Sequence, residues 1–122
     1  MSNRIRKTFE NKKKKLVTFI TGGDPNLDTS LEILNTLINN GIDVIEIGMP
    51  FSDPMADGPI IQESSVRSIA NGTKINDILE IVNKVRKINN EIPVILMGYY
   101  NSIFNMGIKN FISKCADVGV DG

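Results

Sequence analysis

Apolar and polar positions along this chain switch between the strand period and the helix period. Leu16-Val17-Thr18-Phe19-Ile20-Thr21 is β-branched and aromatic and predicts a buried strand. Gly22-Gly23-Asp24-Pro25 ends it. Leu31, Leu34, Leu37 and Ile38 then recur at helical spacing. Thr29 reads as the N-cap of that helix, with Glu32 reaching back to its amide, and Gly41 as the left-handed residue that stops it. Val44-Ile45-Glu46-Ile47 is a second strand. The segment from Gly48 through Pro59 contains Pro50, Pro54, Pro59 and Gly58, which excludes a regular element. Helices are expected over Ile60–Ala70, closed by Asn71-Gly72, and over Asn76–Ile88, where Ile78, Ile81, Val82 and Val85 share one face. Pro93–Met97 is a third strand. Tyr99-Tyr100-Asn101 opens a loop, and Ile108, Phe111, Ile112 and Cys115 mark another amphipathic helix, with Cys115 as a small core-facing hydrophobe.

The order β-α-β-α-β-α, after an N-terminal helical piece, implies parallel strands joined by helical crossovers. The strands are almost wholly apolar, as expected when both faces of a parallel sheet are covered. Phe19, Val94 and Leu96 are expected on its inner face. A short step recurs: Gly41-Ile42-Asp43 precedes the second strand, and Gly119-Val120-Asp121 stands where a fourth would begin. Strand starts near 16, 44 and 93, with another expected near 122, give roughly 35 residues per unit, so eight units would approach the ~250 residues of a (β/α)8 barrel. A doubly wound sheet accommodates three such units equally well. The first strand-to-helix turn lacks G-x-G-x-x-G, and no Walker sequence is present.

Composition narrows the chemistry. At 122 residues the chain suffices for one domain, with 41% hydrophobic and 23% charged residues, a soluble globular profile. Its longest apolar run, Val94–Met97, is far short of the ~20 residues of a membrane helix. Net charge is zero, so no overall field favours nucleic acid. The first fifteen residues nevertheless carry a local +6, the remainder −6. No aromatics interleave with the lysines, so this end reads as a solvated helix and a basic linker. There is no His, which removes imidazole bases, the usual nucleophilic triads and most zinc sites; no metal is expected. The single Cys115 cannot form an internal disulfide, which is compatible with a reducing cytoplasm. Carboxylates are therefore the first candidates for acid–base work.

Glu46 stands out among them. Ile45 and Ile47 point to one face of the second strand, Val44, Glu46 and Gly48 to the other. A carboxylate in a buried strand costs several kcal/mol unless it is paired or protonated. It also lies at the strand's C-terminal end, where barrel enzymes place catalytic groups. The alternative is a rim Glu bonded to backbone amides or to a Lys. Asp53 and Asp57 lie in the following loop, where an Asp is commonly a turn former. Tyr99 and Asn101 lie on the same rim. Phe19 and Met97 suit either an apolar pocket or ordinary core packing.

The run Glu46-Ile47-Gly48-Met49-Pro50-Phe51-Ser52-Asp53-Pro54-Met55-Ala56-Asp57-Gly58-Pro59 resembles the signature of the tryptophan synthase alpha subunit family. Phe19-Ile20-Thr21-Gly22-Gly23-Asp24-Pro25 before it and Met97-Gly98-Tyr99-Tyr100-Asn101 after it agree. Gly98 and Ser102 depart from the Thr and Pro often found there. The resemblance covers residues 4–122 and corresponds to the N-terminal part of one barrel domain, about three βα units. It implies a (β/α)8 fold and retro-aldol cleavage of indole-3-glycerol phosphate to indole and glyceraldehyde 3-phosphate in tryptophan biosynthesis. Glu46 matches the strand-end acid–base and Asp57 the loop carboxylate facing the indole N–H. Phe19, Met97 and Tyr99 match the indole pocket. Asp53 and Pro54 match the loop facing the beta subunit, the partner in an assembly of two alpha and two beta chains. That partner carries pyridoxal phosphate; this subunit is expected to hold no cofactor, and to work in the cytoplasm. The family's phosphate-binding loops come later in the chain than residue 122. The 122 residues alone are therefore expected to keep both carboxylates, lose the phosphate grip and be inactive. The competing reading is a non-catalytic half-barrel that serves binding or assembly.

Overall fold

The expected alternation is present in the computed structural model, which describes residues 2–11 and 13–122. The elements are α1 (Asn3–Phe9), β1 (Val17–Thr21), α2 (Leu27–Asn39), β2 (Val44–Gly48), α3 (Pro59–Ala70), α4 (Ile75–Ile88), β3 (Val94–Met97), α5 (Tyr100–Met106) and α6 (Ile108–Val118). The three strands form a parallel sheet in the order β1-β2-β3. Lys12, in the expected basic linker, lies outside the described residues.

Two boundaries differ from the sequence pattern. The N-cap of α2 is Asn26, not Thr29: its side-chain oxygen accepts from the Thr29 N–H at 2.8 Å. Starting three residues earlier adds Leu27 to the stripe of Leu31, Leu34 and Ile38 that packs on the core. The segment after Tyr99 is not a loop but the two-turn α5, whose Ile103 alone packs against that core.

Register divides the sheet into two unlike faces. Ile45 is opposite Val94, and Ile47 opposite Leu96. Ile45, Ile47 and Val94 are fully buried, in one cluster with Leu34 of α2 and Ile78, Val82 and Val85 of α4. Val94 and Leu96 therefore lie on the helix side rather than the inner face, because the side-chain period of 2 puts them with Ile45 and Ile47. Phe19 is in register with Glu46, and Gly48 with Met97. On that second face Val17, Phe19 and Met97 are exposed. Val44, Thr21 and Gly48 on this same face are buried, so its cover is partial.

The repeated Gly-apolar-Asp step has a structural meaning. Gly41 and Gly119 both adopt φ of +81°, the left-handed turn that ends α2 and α6. Two residues later each Asp binds the start of a neighbouring strand. Asp43 accepts from the Leu16 N–H at 2.8 Å and pairs with Lys15 at 3.3 Å. Asp121 accepts from the Val94 N–H at 2.9 Å and pairs with Arg86 at 2.6 Å and Arg4 at 3.2 Å. The Asp121 N–H donates to Val94 O and the Leu96 N–H to Gly122 O, so residues 121–122 run along β3.

Candidate active site

The C-terminal ends of the strands open onto a cavity of about 210 Å³. Phe19, Gly48 and Met97 form its floor, with Thr21 and Met49 beside them. Gly48 makes that floor possible: a Cβ there would lie 2.6 Å from Phe19 Cζ, so only glycine lets the ring lie across β2. The Met49 N–H donates to Met97 O at 2.7 Å, which ties the start of the 49–58 loop to β3.

The loop then folds back over the cavity and is held by Tyr99. The Tyr99 hydroxyl accepts from the Ala56 N–H at 2.9 Å and donates to Asp57 Oδ2 at 3.0 Å. Phe51 stacks on the Tyr99 ring at 5.0 Å between centroids. Burial pushes the Tyr99 pKa up; the Ala56 amide opposes this and the Asp57 carboxylate adds to it. Tyr99 thus stays a protonated donor to Asp57 across the neutral range. From α3, the Gln62 side chain donates to Asp57 O at 2.8 Å. Helix α3 meets β1 through hydroxyls: Thr21 and Ser64 share a buried 2.6 Å hydrogen bond, and Ser68 donates to Gly22 O at 2.7 Å. Arg67 clamps Asp24 with two bonds of 2.8 Å. Asp24 is therefore more than a turn residue, since it fixes α3 to the first strand-to-helix loop.

Four of the residues singled out in the sequence, Phe19, Asp57, Met97 and Tyr99, line this cavity. Glu46 does not line it. It is half-buried one strand step below Gly48, on the same sheet face, in register with Phe19 and Ile95. Among the described residues its carboxylate has neither a hydrogen bond nor an ion pair, so the rim-Glu reading finds no partner here. Asp53 and Pro54 lie apart from the cavity; exposed Asp53 accepts from the Ser52 hydroxyl at 2.9 Å. Thr21, Met49, Ile61 and Ser65 also line the cavity without having been singled out. The i, i+4 spacing of Ile61 and Ser65 immediately after the loop is the one sequence signal for that wall. No cluster of metal-ligating side chains and no helix long and apolar enough to cross a membrane occurs among the described residues.

A carboxylate and aromatic side chains gathered beyond the C-terminal ends of parallel strands define part of a (β/α)8 barrel, the class that places its chemistry on this rim. Comparison with known proteins narrows this further. Residues 5–122 match the family model of the tryptophan synthase alpha chain, and the chain belongs to that family. It is 52% identical to the tryptophan synthase alpha chain of Geotalea daltonii, over all of this chain and 46% of that one. It is 50% identical to that of Thermoanaerobacter sp. strain X514, over 98% of this chain and 47% of that one. The crystal structure of tryptophan synthase subunit alpha from Legionella pneumophila superposes with a TM-score of 0.96 at 43% identity, covering all of this chain and 48% of that one. The chain thus spans about half the length of the relatives it matches.

Proposed function

We propose that these residues form the N-terminal part of a single-domain barrel that cleaves indole-3-glycerol phosphate to indole and glyceraldehyde 3-phosphate. The observation that carries the reading is the cavity itself. It is apolar on its floor and aromatic on one side, and it holds one carboxylate whose Oδ2 is fixed by Tyr99. An indole ring suits such a wall, and its N–H would meet Asp57. Protonation of the ring at C3 leaves positive charge toward that N–H, which a fixed carboxylate stabilises. Glu46 acts from β2, two residues before Gly48 on the same face. It supplies the proton to C3 and takes the proton of the carbinol hydroxyl. As the C–C bond breaks, its electron pair returns to the ring and the hydroxyl becomes the aldehyde carbonyl. Two carboxylates in different surroundings divide such work. The test is indole release from indole-3-glycerol phosphate by the complete protein. No release would overturn the reading.

Three expected results follow from this arrangement. Tyr99→Phe in the complete protein should slow cleavage roughly fivefold, because of the two hydrogen bonds it deletes, the one to Asp57 orients that carboxylate and is worth ~1 kcal/mol. Steady-state kinetics checks this, and unchanged turnover would remove Tyr99 from the positioning of Asp57.

Asp53 and Pro54 face the proposed partner, the beta subunit of a two-alpha, two-beta assembly in the cytoplasm. The pyridoxal phosphate belongs to that partner, and this subunit holds no cofactor. Asp53→Ala should weaken activation by the beta subunit while leaving the melt unchanged, since an exposed loop position carries little stability. Calorimetric titration and activation assays with the partner check this.

Expressed alone, the 122 residues should be a loose or self-associating species that releases no indole. Their sheet leaves Val17, Phe19 and Met97 uncovered, and among the described residues the outer edge of β1 has no neighbouring strand. A few hundred Å² of uncovered apolar surface, at ~25 cal/mol per Å², is worth several kcal/mol. Domain stability is only ~5–15 kcal/mol in total. Sedimentation and a denaturant melt test this, and a monodisperse monomer with a cooperative transition would contradict it.

A further inference from the structure

The polar groups of the cavity wall are not equally occupied. Thr21 is committed to Ser64, and the Tyr99 hydroxyl to both Ala56 and Asp57. On α3, Ser64 also donates to Ile61 O at 2.8 Å, and Ser68 donates to Gly22 O. Ser65 lies between them in sequence and is only 5% exposed, yet among the described residues its hydroxyl binds no neighbour; no fully buried side-chain polar atom there lacks a partner, so that hydroxyl keeps a small accessible surface. It lines the cavity together with Ile61 one turn earlier. A serine this deeply buried on a helix normally bonds a neighbour or a carbonyl four residues back. We infer that Ser65 is a specificity-determining residue whose hydroxyl hydrogen-bonds a polar substituent wherever the aromatic ring bound in this cavity carries one on the edge nearest Ser65. The inference rests on the reading of the cavity as a ring site.

The chemistry separates Ser65 from Asp57. An ionised carboxylate only accepts, whereas a serine hydroxyl donates and accepts. A ring hydroxyl is matched by Ser65 in either role. A methyl group at the same ring position would cover the hydroxyl and leave it unpaired, which is costlier than the small difference in size. The cavity should therefore discriminate between hydroxyl and methyl at the ring position nearest Ser65, and this one side chain should be responsible.

The test uses the complete protein and measures inhibition of indole-3-glycerol phosphate cleavage by indole and by the ring-hydroxylated and ring-methylated indoles. At one ring position at least, the hydroxyindole should inhibit fivefold or more better than the methylindole. Ser65→Ala should reduce that preference to below twofold while indole still inhibits. Ser65→Thr, which keeps the hydroxyl, should retain the preference. The inference is overturned if no ring position shows the preference, or if Ser65→Ala leaves it in place while indole still inhibits. A protein that neither cleaves the substrate nor binds indole would overturn the reading of the site, and this inference with it.

Discussion

Glu46→Gln and Asp57→Asn should each lower indole formation by the complete protein at least 100-fold, with substrate affinity changing much less. Both substitutions keep size and shape and remove only the charge and the proton-accepting capacity. A positioned acid–base group typically supplies 10²–10⁴ in rate, and a fixed group facing developing charge a similar share. The two losses should nevertheless differ in kind. Among the described residues the Glu46 carboxylate has no hydrogen bond to lose, so Glu46→Gln breaks no contact within this part of the sheet. Asp57 is held by Tyr99 and follows an amide at Ala56 that binds the same hydroxyl. Asp57→Asn can still accept from Tyr99, so the loop should keep its place while the charge is lost. Single-turnover kinetics separates chemistry from binding. Near-normal turnover in either variant would refute the role given to that residue.

Asp121→Ala should destabilise the complete protein by about 3–5 kcal/mol, the usual result of removing one partner of a buried ion pair. The Asp121 side chain is 1% exposed and that of Arg86 9%. Arg86 is already desolvated, which lowers its pKa, and its remaining N–H groups go to Gly119 O and Ile92 O at 2.9 and 2.6 Å. Without Asp121 a charged guanidinium would be left on carbonyls alone, and the Val94 N–H would lose its acceptor. Arg4 would also lose its ion-pair link from α1 to the β3 end of the sheet, although it would keep its bonds to Asn90. Asp43 occupies the same position in the repeated step, but its side chain is 29% exposed and it pairs with Lys15 alone rather than with two arginines. Asp43→Ala should therefore cost less. Denaturant melts of the two variants side by side decide the matter: equal losses would mean that burial of the ion pair is not what makes Asp121 matter.

Much of this was legible in the chain. Ile78, Ile81, Val82 and Val85 marked the buried face of α4, and all four are in the core. The β-branched runs located the three strands to within one residue at each end, and the proline-rich stretch from Gly48 to Pro59 is the loop over the cavity. Less visible were features with weak local signal. Asn26 and Thr29 are both good caps, and only the packing of Leu27 chose between them. Seven residues of α5, with one core contact, carry no periodicity long enough to read. Ser64, Ser65 and Ser68 look alike in sequence, yet two bind inward and one opens to the cavity.

What the sequence alone determined is therefore the part that depends on neighbours a few residues apart: the period of each element, the parallel order, and the family marked by the run from Glu46 to Pro59. The tertiary structure decided what depends on residues far apart in the chain. It alone brought Tyr99 to Asp57 across forty-two positions, and Arg86 and Arg4 to Asp121 across thirty-five and one hundred and seventeen. It alone put Val94 with the helices and Phe19 on the open face. The reason is physical. Alternation shows that a strand has two faces but not which one the helices will cover, and a hydrogen bond or ion pair depends on distance in space, which sequence separation does not fix.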